Sequence, residues 1–530
     1  MVGHTLHSAG GQLRVTLVNA FTRPFDNVVA AARSCYSPTA VTAEMVSGER
    51  IEDPAKRERA RLRRDDLAYS IYEAGHHTTY QHAHFQFIIE GVSRLALWSF
   101  LHAHPFYNSE QVSQRYVPVE PAAVYVPPAL GGRARTFYVD AVHRAHEVYT
   151  SLARRLEPVA RAAVLHRLPS LAKPVHARRL DRMVRRRAQE VARYVLPLAT
   201  TAHLHHTVSA LTLFRYHRAC AQPDAPAELR ELTRLMTGLL LEYDPDFAKV
   251  MEDPLDTLPV TYSLAPEGEA PAHAAAFRRE FDGRLGPLSS LLLSDPLELR
   301  STIAQAVRAV LALPASALSD EEAIRRVLDP ARNTLLAETL NLTTLDPLSR
   351  ALHHATVTFA TRLSHTADSQ NQRHRMVPGA RPVLAAAVDD GPDYVVPSLV
   401  AEDERLRAAY DEHMERVWGE VSWMRRNAPD PSLANYLLPN AVTVRIVETS
   451  DLLHLHHKMR MRLCWNAQEE IRRIAWQQAM QIAQADPLIG RFLLPPCGVR
   501  RAAGRTPYCP EGDRFCGTPV WKLPLEQQKP

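Results

Sequence analysis

Nowhere in the 530 residues is there a run approaching the roughly 18 to 20 apolar side chains needed to cross a bilayer. Met1–Gly11 also lacks the charged stretch followed by an apolar one that marks a secretory leader, so a cytoplasmic location is expected and a membrane partner is not. Six cysteines in a chain this long do not amount to a disulfide scaffold. A usable Gly-rich dinucleotide fingerprint is absent. Net charge is only +5, although Arg178-Arg179, Arg182 and Arg185-Arg186-Arg187 cluster on one stretch. That cluster suits an anionic ligand or a solvated helix face. Aromatics are not interleaved with it and no recognised nucleic-acid motif accompanies it, so nucleic acid is not an expected partner.

What is present is the composition of a soluble globular protein, 46% apolar and 23% charged. The length exceeds one ordinary core and implies two domains of roughly 200 to 250 residues. Leu13–Val18 alternates as a strand, a helix starts at Val28, and charged residues from Asp53 lead into a helix ending near Gly75. His76-His77-Thr78-Thr79 opens a polar turn before the strand candidate Phe85–Ile89. Further helices are expected from Glu90-Gly91-Val92-Ser93-Arg94 through Leu101, over 134–165 and 180–195, and from His203 to Arg218.

The later half repeats this order. His354-Ala355 and Phe359 echo His82-Ala83 and Phe87, and Tyr436-Leu437-Leu438-Pro439 echoes Tyr194-Val195-Leu196-Pro197. A helix ending at Arg462 echoes the one ending at Arg218, 23 and 21 residues after the respective prolines. A period of about 250 residues signals two similar domains rather than a solenoid. Prolines 254, 259, 266 and 271 interrupt any helix between the copies, which places the boundary near residue 255. The expected organisation is a first repeat over 1–255, a second over 256–490 and a cysteine-containing tail over 491–530, in an α+β, helix-rich fold with mixed sheets.

Two stretches carry chemistry. Ser369-Gln370-Asn371-Gln372-Arg373-His374-Arg375-Met376-Val377-Pro378 follows an apolar, β-branched run and concentrates amides, guanidiniums and an imidazole. Arginine can fork onto phosphate oxygens and amides can read a heterocycle edge, so a phosphorylated, ring-bearing ligand fits; a solvated basic turn is the competing reading. In the tail, Cys497, Cys509 and Cys516 fall within twenty residues of a loop-rich segment that has no histidine. A structural zinc is conceivable there, with a fourth ligand from elsewhere such as Cys464, though the spacing matches no standard zinc pattern and Cys464 also reads as an ordinary small buried residue.

In order and spacing these motifs resemble the flavin-dependent thymidylate synthases, whose signature reads RHRxxSxNExSxRY. The first half has Glu90-Gly91-Val92-Ser93-Arg94, then His102-Ala103-His104 in place of Arg-His-Arg, then Ser113-Gln114-Arg115-Tyr116 intact. The second keeps Arg373-His374-Arg375 but continues Met376-Val377-Pro378-Gly379. Between them the halves hold one whole signature. The resemblance implies methylation of dUMP to dTMP with 5,10-methylenetetrahydrofolate and NADPH as co-substrates and FAD as cofactor. It assigns Arg462 to stabilising charge on the pyrimidine, and Gln111, Ser113, Gln114, Arg115, Arg193, Gln370 and Arg373 to dUMP. To FAD it assigns Arg373, His374, Arg375, His76 and Thr78; His457 is the best placed of three helix histidines to join them. A site shared between the repeats and a homodimer imitating the family's usual homotetramer are further implications. A catalytically silent flavin- or nucleotide-binding protein is the alternative, because each half has lost part of the signature.

Overall fold

The computed structural model describes residues 2–220, 225–251, 270–295 and 298–529. The boundary expected near residue 255 lies outside the described residues. The chain forms two compact units, and they are not its sequential halves. One comprises Met1–Arg144, Pro197–Glu267 and Glu420–Leu437; the other comprises Ala145–Leu196, Gly268–Gly419 and Leu438–Pro530. A segment of each half is thus assigned with the body of the other.

The first unit is built on a five-stranded sheet: β1 (Thr5–His7), β2 (Arg14–Ala20), β3 (His84–Ser93), β4 (Asn108–Gln111) and β5 (Thr201–Ser209), in the order β1-β2-β3-β5-β4. Alternation decides which face is covered. Val15 and Leu17 of β2 and Phe85, Phe87 and Ile89 of β3 are fully buried, while their neighbours are not. At Gly91 the register of β3 against β5 shifts, with φ at +77°. A Cβ at this position would stand 1.8 Å from the Gln12 carbonyl oxygen, so only glycine permits the bulge. β3 therefore continues to Ser93, and the helix expected from Glu90 begins only at Arg94.

The expected His203–Arg218 helix is a strand followed by a helix. Thr201–Ser209 pairs along its length with β3, and helical turns start at Ala210. Leu204, His206 and Val208 are buried and His203 and His205 exposed, a period of two that rules out a helix there.

The second unit carries four strands: β6 (Ser290–Leu292), β7 (Thr356–Ser364), β8 (Gly379–Ala380) and β9 (Thr443–Asp451), in the order β6-β7-β9-β8. These match β2, β3, β4 and β5 one for one, as a duplication requires. Every pairing described in both sheets is antiparallel rather than mixed, because the strands that run parallel, β3 and β4 or β7 and β8, lie on either side of β5 or β9 and never next to one another. Helices Leu299–Leu311, Asp320–Leu328, Leu452–Arg462 and Glu469–Ala485 cover the sheet, burying Ile303, Val307, Ile324, Val327, Met459 and Ile482 in one core with Val357 and Phe359. Side chains of this size each contribute about 1.5 to 3 kcal/mol when fully buried.

Candidate active site

β7 ends at Ser364, whose hydroxyl caps the short helix His365–Asn371 by accepting from the Ala367 N–H. That helix delivers Gln370 and the turn Gln372-Arg373-His374-Arg375, after which β8 rejoins the sheet. Two buried ionic contacts hold the turn. Arg381 forks onto Asp368 at 2.6 and 3.1 Å, and Asp368 is wholly enclosed. Asn371 donates at 2.7 Å to Glu448 of β9, which also accepts from Lys458 and, at 2.9 Å, from Gln478. Burial pushes the Glu448 carboxyl up, but Lys458 and these amides more than offset it, and the net shift is downward. None of this network was visible as a motif; its members lie on four different elements.

The basic turn meets the end of the Leu452–Arg462 helix. Arg462 Nε donates to His374 Nε2 at 2.9 Å, and its Nη2 donates to the Gln370 carbonyl oxygen. Burial, then the charges of Arg462 and Lys458, holds the His374 pKa well below the ordinary histidine value, so the ring is neutral and free to accept. His457 stands 6.0 Å from His374, ring centre to ring centre, and burial lowers its pKa to about 4. Arg373 is exposed and Arg375 half-buried. Thus Gln370, Arg373, His374, Arg375, His457 and Arg462 are brought to one corner of this unit.

Arg193 belongs to the same unit, although its sequence position had grouped it with Ser113 and Arg115. It is buried, and its carbonyl accepts from Asn440 Nδ2 at 2.9 Å, while the Asn440 carbonyl accepts from the Thr366 N–H at 3.0 Å in the first turn of the Gln370 helix. Asn440 was not singled out from sequence; its place just after the repeated Tyr-x-Leu-Pro was the available signal.

In the first unit, Arg94 donates to Gln111 Oε1 at 2.8 Å and to the Val112 carbonyl at 2.9 Å, fixing the end of edge strand β4. The turn that follows carries Ser113, whose Oγ accepts from the Arg115 N–H, with Gln114 buried and Arg115 half-buried over the Tyr116 ring. His76 and Thr78 are exposed beyond the Pro54–Glu73 helix. His102 and His104, which replace the arginines of the signature here, are taken up by packing. His102 bonds Ser109 at 3.1 Å and stacks on Tyr107, and His104 shares the Tyr216 hydroxyl with His206.

The thymidylate synthase complementing protein family matches residues 16–246 and 292–488. The chain belongs to that family. It is 33% identical to a flavin-dependent thymidylate synthase of Thermococcus kodakarensis over 34% of this chain and 74% of that protein. A protein of the same name from Clostridium tetani is 27% identical over 45% of this chain and 86% of its own length, and one from Nitratidesulfovibrio vulgaris 30% identical over 34% and 74%. The family implies a flavin, and the corner around His374 fits one. Gln370 Oε1 and His457 Nδ1 are buried with no hydrogen-bond partner, which leaves an acceptor and a second polar atom for a ring edge beside two guanidiniums suited to phosphate.

Among the described residues, one trio, His353, Asp451 and His454, has ligand-type atoms all within 4.8 Å of one another. A helix cap accounts for it. Asp451 accepts from the His454 N–H at the start of the Leu452–Arg462 helix, and both imidazoles bond its second oxygen. No helix among the described residues is long and apolar enough to cross a membrane.

Proposed function

We propose that the chain forms dTMP from dUMP, taking the methylene group from 5,10-methylenetetrahydrofolate, with NADPH as reductant. The hydride chemistry would come from FAD when bound. The rest falls to side chains. The observation that carries this reading is Arg462 held by a neutral His374 and by the Gln370 carbonyl, a guanidinium fixed in advance. Such a group stabilises negative charge as it develops on a pyrimidine ring, and because it is already oriented the stabilisation costs little reorganisation.

Arg373, His374 and Arg375 would hold the flavin phosphates, with His76, Thr78 and His457 as further flavin contacts. Gln370, Arg373 and Arg193 would engage dUMP together with Gln111, Ser113, Gln114 and Arg115. Because only one Arg-His-Arg and one Ser-x-Arg-Tyr exist per chain, we infer one working set of donors and one FAD per chain, in a cytoplasmic homodimer. The test is dTMP formation by purified protein supplied with dUMP, methylenetetrahydrofolate and NADPH. Turnover that is lost in Arg462→Ala while the flavin spectrum persists is the expected result. A flavin-loaded wild type that never consumes dUMP would instead make this a silent binder.

A further inference from the structure

Four of the six cysteines converge. Cys464, just past the Leu452–Arg462 helix, lines one small cavity with Cys497, Cys509 and Cys516 of the tail, closed in by Trp465 and Phe515. All four are free thiols. Cys35 and Cys220 lie in the first unit, one exposed and one buried.

The surroundings are short of negative charge. Arg472 is 5% exposed, sits 5.0 Å over the Trp465 ring, and leaves Nη1 buried with no hydrogen-bond partner. Arg167 lies 5.7 Å over the same ring. The nearby carboxylate Glu469 is engaged by Arg187 and Arg473, and Glu511 at the cavity rim pairs with Arg514. The buried guanidinium of Arg472, with one nitrogen unpaired, and the exposed one of Arg167 thus flank the four thiols, a setting that favours negative charge at the sulfurs. The segment they hold is also poor in apolar material. Between Pro496 and Gln528 it has one seven-residue helix and three single turns, and its apolar anchors are few: Val499 packed with Leu336 and Ala337, the buried Val520, and Leu525 against the main core.

We propose that Cys464, Cys497, Cys509 and Cys516 bind one structural zinc ion that ties the tail to the turn following Arg462. Binding replaces four S–H bonds by four Zn–S bonds and releases four protons. The resulting centre carries two negative charges, which Arg167 and Arg472 neutralise. A Zn–S bond of about 2.3 Å sets sulfurs roughly 3.8 Å apart in a tetrahedron. No three of these sulfurs yet stand within 4.8 Å of one another, so the side chains draw in by rotation when the ion binds. The spacing escapes a motif search because no pair is separated by only two to four residues.

The experiment is elemental analysis of the full chain, purified without chelator from cells grown with added zinc and, separately, added iron, followed by X-ray absorption at the metal edge. About one zinc per chain with four sulfur neighbours at about 2.3 Å is the expected result. Cys464→Ser and Cys509→Ser should lose the metal, whereas Cys35→Ser should keep it. Should either serine variant fail to fold, mercurial titration of the wild type decides, since zinc must leave as those four thiols are consumed. Iron bound by the same four sulfurs would support the site and change only the ion. Three results would overturn it: no stoichiometric metal from either culture, nitrogen and oxygen ligation as at His353, Asp451 and His454, or metal retained in Cys464→Ser.

Discussion

The Tyr194 hydroxyl donates to Glu470 Oε2 at 2.5 Å, and the counterpart of each residue repeats the contact, Tyr436 donating to Glu228 Oε2 at 2.9 Å. In both cases the tyrosine comes from one half of the sequence and the glutamate from the other, yet each pair lies within a single unit. Both glutamates also clamp the last residue of a central strand. Glu470 accepts from the Ser364 N–H and hydroxyl at 2.6 Å each, and Glu228 accepts from those of Ser93 at 2.7 and 2.6 Å. The duplicated chain has therefore exchanged the stretches 145–196 and 420–437, which carry these tyrosines near their ends.

Removing either hydroxyl strips a donor from a buried carboxyl. Tyr194→Phe and Tyr436→Phe should each lower stability by about 1 to 3 kcal/mol. Urea titration measures this, and an unchanged midpoint in both variants would show that the exchanged segments are held by apolar packing alone.

Glu228 should also make stability depend on pH. Burial raises its pKa to about 7 despite the bonds from Ser93 and Tyr436, whereas in the unfolded chain a glutamate titrates near about 4.3. Between those values the folded state binds the extra proton. Stability from this group is full below the unfolded value and is lost as pH rises through the folded one. Glu228→Gln, which cannot ionise, should gain on wild type over that window, by on the order of 3 kcal/mol at the alkaline end. Parallel denaturation curves at about pH 5 and about pH 8 make the comparison, and a constant difference between the two proteins would refute it.

Why the basic turn was legible and its supports were not follows from where the information lies. Arg373, His374, Arg375 and Arg462 sit in short runs whose composition is unusual, and the 88 residues separating Arg462 from His374 are bridged by an ordered series of motifs. Tyr194 and Glu470 are 276 residues apart and belong to common residue types, so nothing local marks the bond. β5 was misread because Leu204, His206 and Val208 run without a breaker into the helical Ala210–Ala219, and one continuous helix accommodates the apolar positions nearly as well as a strand and a helix do. The grouping of Arg193 with Ser113 failed for the reason that the tyrosine contacts were hidden: sequence order does not reveal that 145–196 packs with the second unit.

Lys458 and Glu448 are each almost wholly buried, and the pair anchors Asn371 behind the basic turn. Lys458→Met leaves the carboxylate with amide donors only. Stranding one member of such a pair costs about 3 to 5 kcal/mol, whereas replacing both costs far less. Lys458→Met should therefore lower the melting temperature sharply and weaken flavin retention, while Lys458→Met combined with Glu448→Gln should recover much of the stability. Equal melting temperatures for the single and double variants would mean that the two charges do not compensate one another.

The last expectation concerns how many flavins a chain can hold. Arg373 and Arg375 offer guanidiniums on a turn anchored by Asp368 and Glu448, and the unpartnered Gln370 Oε1 lies beside them. At the matching positions of the first half, His102 and His104 are committed to Ser109, Tyr107 and Tyr216 and carry no fixed positive charge for a phosphate. One FAD per chain should be measured by absorbance against protein concentration. Arg373→Ala and Arg375→Ala should each lose flavin, since a guanidinium that pairs with a desolvated phosphate is typically worth several kcal/mol. Arg115→Ala should abolish dUMP turnover with flavin retained. His104→Ala should keep its flavin but melt earlier, by roughly 1 to 3 kcal/mol, because Tyr216 loses a buried partner. Two flavins per chain, or flavin lost from His104→Ala in folded protein, would mean that the first half still carries a working phosphate site.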